Sequence, residues 1–591
     1  MAKRWAAVGA GAVIVAAVAA WAVAYGATTG SGQSPAISGW AGSVSALVFD
    51  LAAATTIGLL VLASFALDPT RDEFPRALDT AAVSAGVMTI FAAASGFLST
   101  QSAQSAAWLV TALIAAVITA LCFLIRSLGG AAFLVILAIA SLWPVADAEA
   151  AGLAPGGAES LMLHVVFASV WLGGLAALVF LRPRLGESRW RVVATRFRPL
   201  ADVSFIVVAL SGASEAVYRL GSSPDLGTDY GALLLSKVVI LVAAAVVLLV
   251  IRSRNHAPTL PRLLALELGF LAIAFGVSAV LPSRQAPIAR AVPAKATPAE
   301  ILTSHPLPPP FGFANLLGEW RLDLGWALAF AFAAVLYVVG VRHLRHRGHH
   351  WPVGRTILWF AGLALAAWLT SGGPAVYRNT LFSVDVAVGL AWSLVVPLLL
   401  VQGAPLRLAC RTLHTRTDGS RGAREWLRAF SRSRIVRFFA HPATAAVVFA
   451  GSVWAFSVGP LLRWSTVNSF GHGWAALQLL AAGLLLVHAL TARTARLRTG
   501  WRLLLLAGVT AALVATGLWA ASTDELLLAD WFGAMGRTWG APPSVDQVAG
   551  GTVFWIGSIV VAAVLSAIIV ARRRDSRTSR ASAARPSRRV L

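Results

Sequence analysis

LMLHVVFASVWLGGLAALVF, residues 161–180, carries a histidine as its sole ionisable side chain. At 1.5 Å of rise per residue, a helix of that length crosses the roughly 30 Å hydrocarbon layer of a bilayer. Backbone groups in lipid have no water to bond, and a helix satisfies them within one segment. Runs of the same kind recur, among them AAVGAGAVIVAAVAAWAVAY (6–25) and ALLLSKVVILVAAAVVLLVI (232–251). With 58% apolar and 12% charged residues over 591 positions, the composition points away from a water-soluble exterior. The fold class read from this is all-α, a polytopic transmembrane helical bundle.

About 16 spans are expected, near 5–26, 38–66, 77–98, 105–125, 129–146, 158–181, 199–218, 231–251, 260–282, 323–341, 355–371, 381–401, 440–462, 472–491, 502–521 and 551–571. Thirty-nine of the 48 Lys and Arg residues fall in or at the edges of alternate segments between them. By the positive-inside rule those segments, and with them both termini, are cytoplasmic. A net charge of +23 would suggest nucleic acid in a soluble domain. Here it reports topology and an affinity for anionic membrane lipid, and no nucleic-acid partner is read from it. The first apolar run exceeds the usual core of a cleavable signal, so that span is expected to be retained. The two cysteines, Cys122 and Cys410, form no CxxC pair, so neither a disulfide nor a thiolate cluster is expected.

The Pro- and Ala-rich stretch 283–322 reads as a linker outside the membrane. It separates residues 1–282, with about nine spans, from 323–571, with about seven. The tail 572–591 is charged, Ser-rich and without apolar periodicity, so disorder is expected there.

The order of several motifs resembles an actinobacterial fusion of a copper-resistance D (CopD) domain with a cytochrome c oxidase assembly factor (CtaG) domain. The first half contributes His164 with VWLGG (170–174), RFRPLADVSFIVVALSGASEAVYRLGS (196–222), YGALLLSK (230–237) and LELGFLAIAFGVSAVLPS (266–283). The second contributes TPAEILTSHPLPPP (297–310), WPVGRTILWFAGLALAAWLTSGGPAVY (351–377), VVPLLLVQGAP (395–405), HPATAAVVF (441–449), Gly471 with His472, and DQVAGGTVFW (546–555). The resemblance implies Cu(I) handling at the plasma membrane, with copper supplied to cytochrome c oxidase. It also implies oxidase subunits or copper chaperones as partners.

Cu(I) favours imidazole and thioether donors, which makes His164, with Met162 nearby, the first metal candidate. Its bland alternative is a neutral histidine hydrogen-bonded to a neighbouring helix. Trp171, Gly173 and Gly174 read mainly as packing. Lys237 lies two turns into its span, where it either pairs with Glu215 in a gated path or snorkels to the headgroups. Asp50 and Glu267 are further intramembrane carboxylates. In the second half His441, His472 and Asp546 are metal candidates, against a helix cap for His441 and a plain hydrogen bond between His472 and Asp546. Where the resembled family carries a histidine pair one helical turn apart, this chain has Asp385 and Gly389, and a further family histidine is Gln478. Those substitutions remove soft donors, so a metal-free scaffold for oxidase assembly stands as an alternative. A haem-binding electron carrier is a third reading.

RHLRHRGHH (342–350) reads as a basic loop facing headgroups, and the nine-Arg loop around 405–437 as a surface helix docking lipid or a cytoplasmic partner. No Walker loop, GxSxG elbow, HExxH or dinucleotide fingerprint sits where it could work. The expectation is a protein that is not an enzyme.

Overall fold

The computed structural model describes residues 37–99, 101–149, 157–220, 228–253, 260–281, 296–491 and 498–583. Among them the regular structure is helical throughout, with no strand. Among the described residues fourteen helices are long and apolar enough to cross a membrane, and they match fourteen of the sixteen expected spans. The thirteenth, expected at 440–462, is the shorter apolar helix Pro442–Ser457. The first, 5–26, lies outside the described residues.

The chain divides into two compact units, 1–291 with 414–425, and 292–413 with 426–591. In the first, the most covered of the described membrane-length helices is Ala41–Phe65, with 72% of its apolar stretch buried in the protein, followed by Gly157–Leu185 at 61%. Tyr230–Ser253, at 22%, is much less covered. The two inner helices touch backbone to backbone. A Cβ placed on Gly173 would overlap the Ala54 carbonyl, and one on Gly58 would overlap Gly173 itself. Glycine at both positions is what permits the crossing.

Residues 414–425 close the polar end of the first unit. The Arg196 guanidinium donates to the Ala66 carbonyl (3.0 Å), the Ser420 hydroxyl (3.0 Å) and Asp418 (2.7 Å). Arg416 donates to the Phe65 carbonyl. Two cations thus satisfy carbonyls that the end of the Ile37–Phe65 helix leaves without partners. Burial raises the Asp418 carboxyl, but the Ser420 hydroxyl and the Arg196 guanidinium outweigh it and hold the pKa at about 2.

The second unit begins within the expected linker. Thr297 and Glu300 form a capping box for the short helix Pro298–Thr303. The Pro-rich run beyond it is held through its carbonyls: Trp539 Nε1 donates to Pro308 (3.0 Å) and the Tyr377 hydroxyl to Pro309 (2.8 Å). Proline lacks an N–H and this backbone cannot bond to itself, so side chains of the unit complete it. The stretch from residue 296 onward is therefore part of the folded unit rather than a bare tether. At the other end the last helix, Pro543–Ala583, runs past the span boundary of 571 and through most of the tail read as disordered. A helix already nucleated extends at little cost through Ala- and Arg-rich sequence.

Candidate functional sites

In the first unit, His164 sits two turns into Gly157–Leu185, facing Glu187–Leu220. Its Nδ1 lies 3.1 Å from the Val208 carbonyl and 3.2 Å from the Ser211 hydroxyl. The carbonyl can only accept, and Ser211 Oγ donates to Val207 (2.6 Å), so the ring proton is assigned to Nδ1. The Nε2 lone pair of the neutral ring is then the end available to a metal. Gly212 makes room for it: a Cβ there would stand 3.1 Å from the imidazole Cε1. Ser160 adds a rung between the same helices by donating to the Ser211 carbonyl (3.1 Å).

Charged groups surround this histidine. Lys237 and Glu215 both act electrostatically on the imidazole. Glu215 forms its ion pair with Arg219, one turn along the same helix at 2.9 Å, and no ion pair between Glu215 and Lys237 occurs among the described residues. Of the two readings of Lys237, the ion pair with Glu215 is not found, because the i,i+4 neighbour Arg219 takes that carboxylate. Glu149, which sequence reading passed over, acts on Asp50 and feels both Glu215 and Arg219. Met162 packs with Ala146 and Leu161. Two residues apart on a helix, it and His164 project to different sides, and the structure does not join them as a ligand pair.

Deeper in the unit, Trp171 Nε1 donates to Glu267 Oε1 at 2.7 Å, with the glutamate 1% exposed. Trp171 is fully buried and stands edge-on to Phe205. The indole thus packs, as the sequence suggests, and is also the partner of the Glu267 carboxyl. Asp50 and Glu267 belong to separate surroundings.

In the second unit, Asp385 is bound by Arg378, whose Nη2 and Nε lie 2.7 and 3.0 Å from a single carboxylate oxygen. The Arg378 charge also acts on His472, whose side chain hydrogen-bonds the Ser465 backbone. Arg378, in the YRNT turn, is the functional neighbour that sequence reasoning missed. Gly389 faces open space, with nothing within 4 Å of an added Cβ, just before the π-turn Ala391–Val395. Gln478 is engaged elsewhere, donating to Ser452 at 2.9 Å.

Asp546 accepts from the Phe382 amide (2.8 Å) and from the Ser383 hydroxyl. It caps the helix Phe382–Leu390 from a separate part of the chain, and the proposed bond to His472 is absent among the described residues. Gln547 is likewise structural, accepting from the Leu527 amide (2.7 Å) and donating to the Glu525 carbonyl (3.0 Å). His441 occupies the N-cap position of Pro442–Ser457, yet its side chain makes no capping bond and is exposed. Among the described residues no group of three or more His, Cys, Asp or Glu is arranged to hold a metal. Copper would therefore meet His164 as a lone imidazole with backbone and hydroxyl oxygens close by. In the second unit a guanidinium already occupies one oxygen of the Asp385 carboxylate.

Residues 335–576 match the family described as cytochrome c oxidase caa3 assembly factor (Caa3_CtaG), and residues 191–281 match copper resistance protein D (CopD). The first match contains Arg378, Asp385, Gly389, His441, His472, Gln478 and Asp546. The second contains Ser211, Glu215, Lys237 and Glu267, while His164 precedes it. Uncharacterized proteins of Mycobacterium bovis and Mycobacterium tuberculosis are each 31% identical over 283 residues, which is 47% of this chain and 43% of theirs. An uncharacterized protein of Mycobacterium leprae is 27% identical over 492 residues, 81% of this chain and 72% of its own. The chain thus spans less than half the length of the first two relatives. No solved structure matches.

Proposed function

We propose that this chain, a multi-pass membrane protein joining a CopD segment to a CtaG segment, handles copper at the plasma membrane in the service of oxidase assembly. The family matches point to copper resistance and to caa3 oxidase assembly. The finer reading assigns the two tasks to different units. Copper, as cargo, is received in the first unit at His164 Nε2, with Val208 and Ser211 holding the ring. The second unit acts as a scaffold without bound metal and presents surface to oxidase subunits or copper chaperones. The observation that carries this division is the Arg378–Asp385 pair, because a carboxylate bound by guanidinium is a poor ligand for a soft cation. No catalytic role is assigned to any residue.

The test is the copper and iron content of detergent-purified protein after Cu(I) loading and chelator washing, compared with His164→Ala and His472→Ala. Stoichiometric copper that His164→Ala removes supports the assignment. Loss only with His472→Ala moves the metal to the second unit, and iron with a haem spectrum favours an electron carrier. Absence of retained metal in the wild type overturns direct copper binding.

A further inference from the structure

The helices Ala423–Arg432 and Arg434–Phe439 lead directly into the apolar helix that starts at Pro442. From residue 426 onward both belong to the second unit. Their sequence places Trp426, Leu427 and Phe430 on one face, at helical spacing, with Arg428 and Arg432 on the other. After the break at Ser433 the pattern resumes with Ile435, Phe438 and Phe439 against Arg434 and Arg437. Phe430, Ile435 and Phe438 are 66, 69 and 62% exposed. Arg428, Arg432, Arg434 and Arg437 form no ion pair among the described residues. Large apolar side chains open to solvent are costly in water, whereas at the boundary of an anionic bilayer they are buried and the cations beside them gain headgroup partners.

We infer that residues 426–439 form an interfacial anchor that selects anionic phospholipid, with the aromatic and aliphatic face in the acyl boundary and the four arginines on headgroup phosphates. Arginine suits that partner because its planar fork bonds phosphate oxygens in pairs. The helix entering at Pro442 fixes the segment next to the bilayer, so no separate recruitment step is required. The anchor is independent of whether the unit holds copper.

The experiment uses the full chain in nanodiscs, with an environment-sensitive fluorophore on Phe438→Cys, and separately on Phe430→Cys, in a Cys410→Ser background. One lipid is phosphatidylcholine alone and the other is phosphatidylcholine mixed with phosphatidylglycerol. Quenching by acyl-chain brominated lipid that appears with phosphatidylglycerol and weakens with salt is the expected result. Replacing Arg428, Arg432, Arg434 and Arg437 by glutamine raises the phosphatidylglycerol content needed for half-maximal quenching several-fold. Replacement by lysine retains the lipid dependence. Equal quenching in both lipids overturns the headgroup selectivity. Labels that stay open to aqueous iodide in both, or are shielded only when a soluble protein fraction is added, overturn the lipid assignment.

Discussion

Arg378 grips Asp385 through two nitrogens on one carboxylate oxygen, at 2.7 and 3.0 Å, and its charge reaches the His472 imidazole. A position that resembles a metal-ligand site is thereby occupied by an ion pair internal to the protein. Asp385→Ala is expected to lower stability by about 1–2 kcal/mol, between the values for exposed and for fully buried pairs. Thermal unfolding in detergent measures this, and metal content measured on the same sample stays at the wild-type value. A fall in bound copper would mean that Asp385 is a ligand after all.

Trp171 and Glu267 form a second pair, in the interior of the first unit. Trp171→Phe removes the donor and leaves the carboxyl unpartnered, at an expected cost of about 1–2 kcal/mol. Glu267→Leu removes the polar group as well, so the double variant should be more stable than Trp171→Phe alone. A double-mutant cycle from unfolding midpoints decides the point, and strict additivity would show that the bond contributes nothing.

Two glycines offer a contrast that depends on shape alone. Gly173→Ala drives a methyl group into the Ala54 carbonyl, and overpacking of that kind costs about 1–3 kcal/mol or more. Gly389→Ala meets open space and should be neutral or gain up to about 1 kcal/mol of helix propensity. Expression level and melting temperature of the two variants give the comparison.

The end of the first unit closed by residues 414–425 should loosen in acid. Asp418, held at about 2 when folded, returns to about 3.9 in the unfolded chain. Its contribution is complete above about pH 4 and disappears as pH falls through about 2. Asp68 shifts in the same direction: burial opposes it, and the Thr70 amide and hydroxyl with Arg71 prevail. Proteolysis of 414–425 by an acid-active protease should accelerate across that window, and Arg196→Gln should move its onset to higher pH.

The spans were legible because a bilayer imposes length and polarity on each segment separately, so local sequence suffices. His164 was legible for a related reason, as an ionisable group in hydrocarbon stands out. Its orientation was not, because Val208 and Ser211 lie 44 and 47 positions away. Partnerships of this kind are set by which helices face each other. For Lys237 the sequence leaves open a pair with Glu215 or snorkelling, and only the packed helices show that Arg219, one turn along, takes the carboxylate. Asp546 was read as a ligand candidate, whereas its two oxygens serve a helix end 164 and 163 residues earlier. Arg378 lay in a turn with no motif to mark it.

Gly173 lies nine positions after His164, about 14 Å along the helix axis. At Gly173 the Gly157–Leu185 helix is pressed against the Ile37–Phe65 backbone with no side chain between them, so the two rods cannot part there without opening a void in the protein interior. The crossing, like a rivet, holds that side of the histidine's helix still, so room for an ion beside the imidazole has to come from the other side, where Glu187–Leu220 faces the ring. A crossbar between Gly157–Leu185 and Glu187–Leu220 beside His164 would lock that side while leaving the crossing untouched.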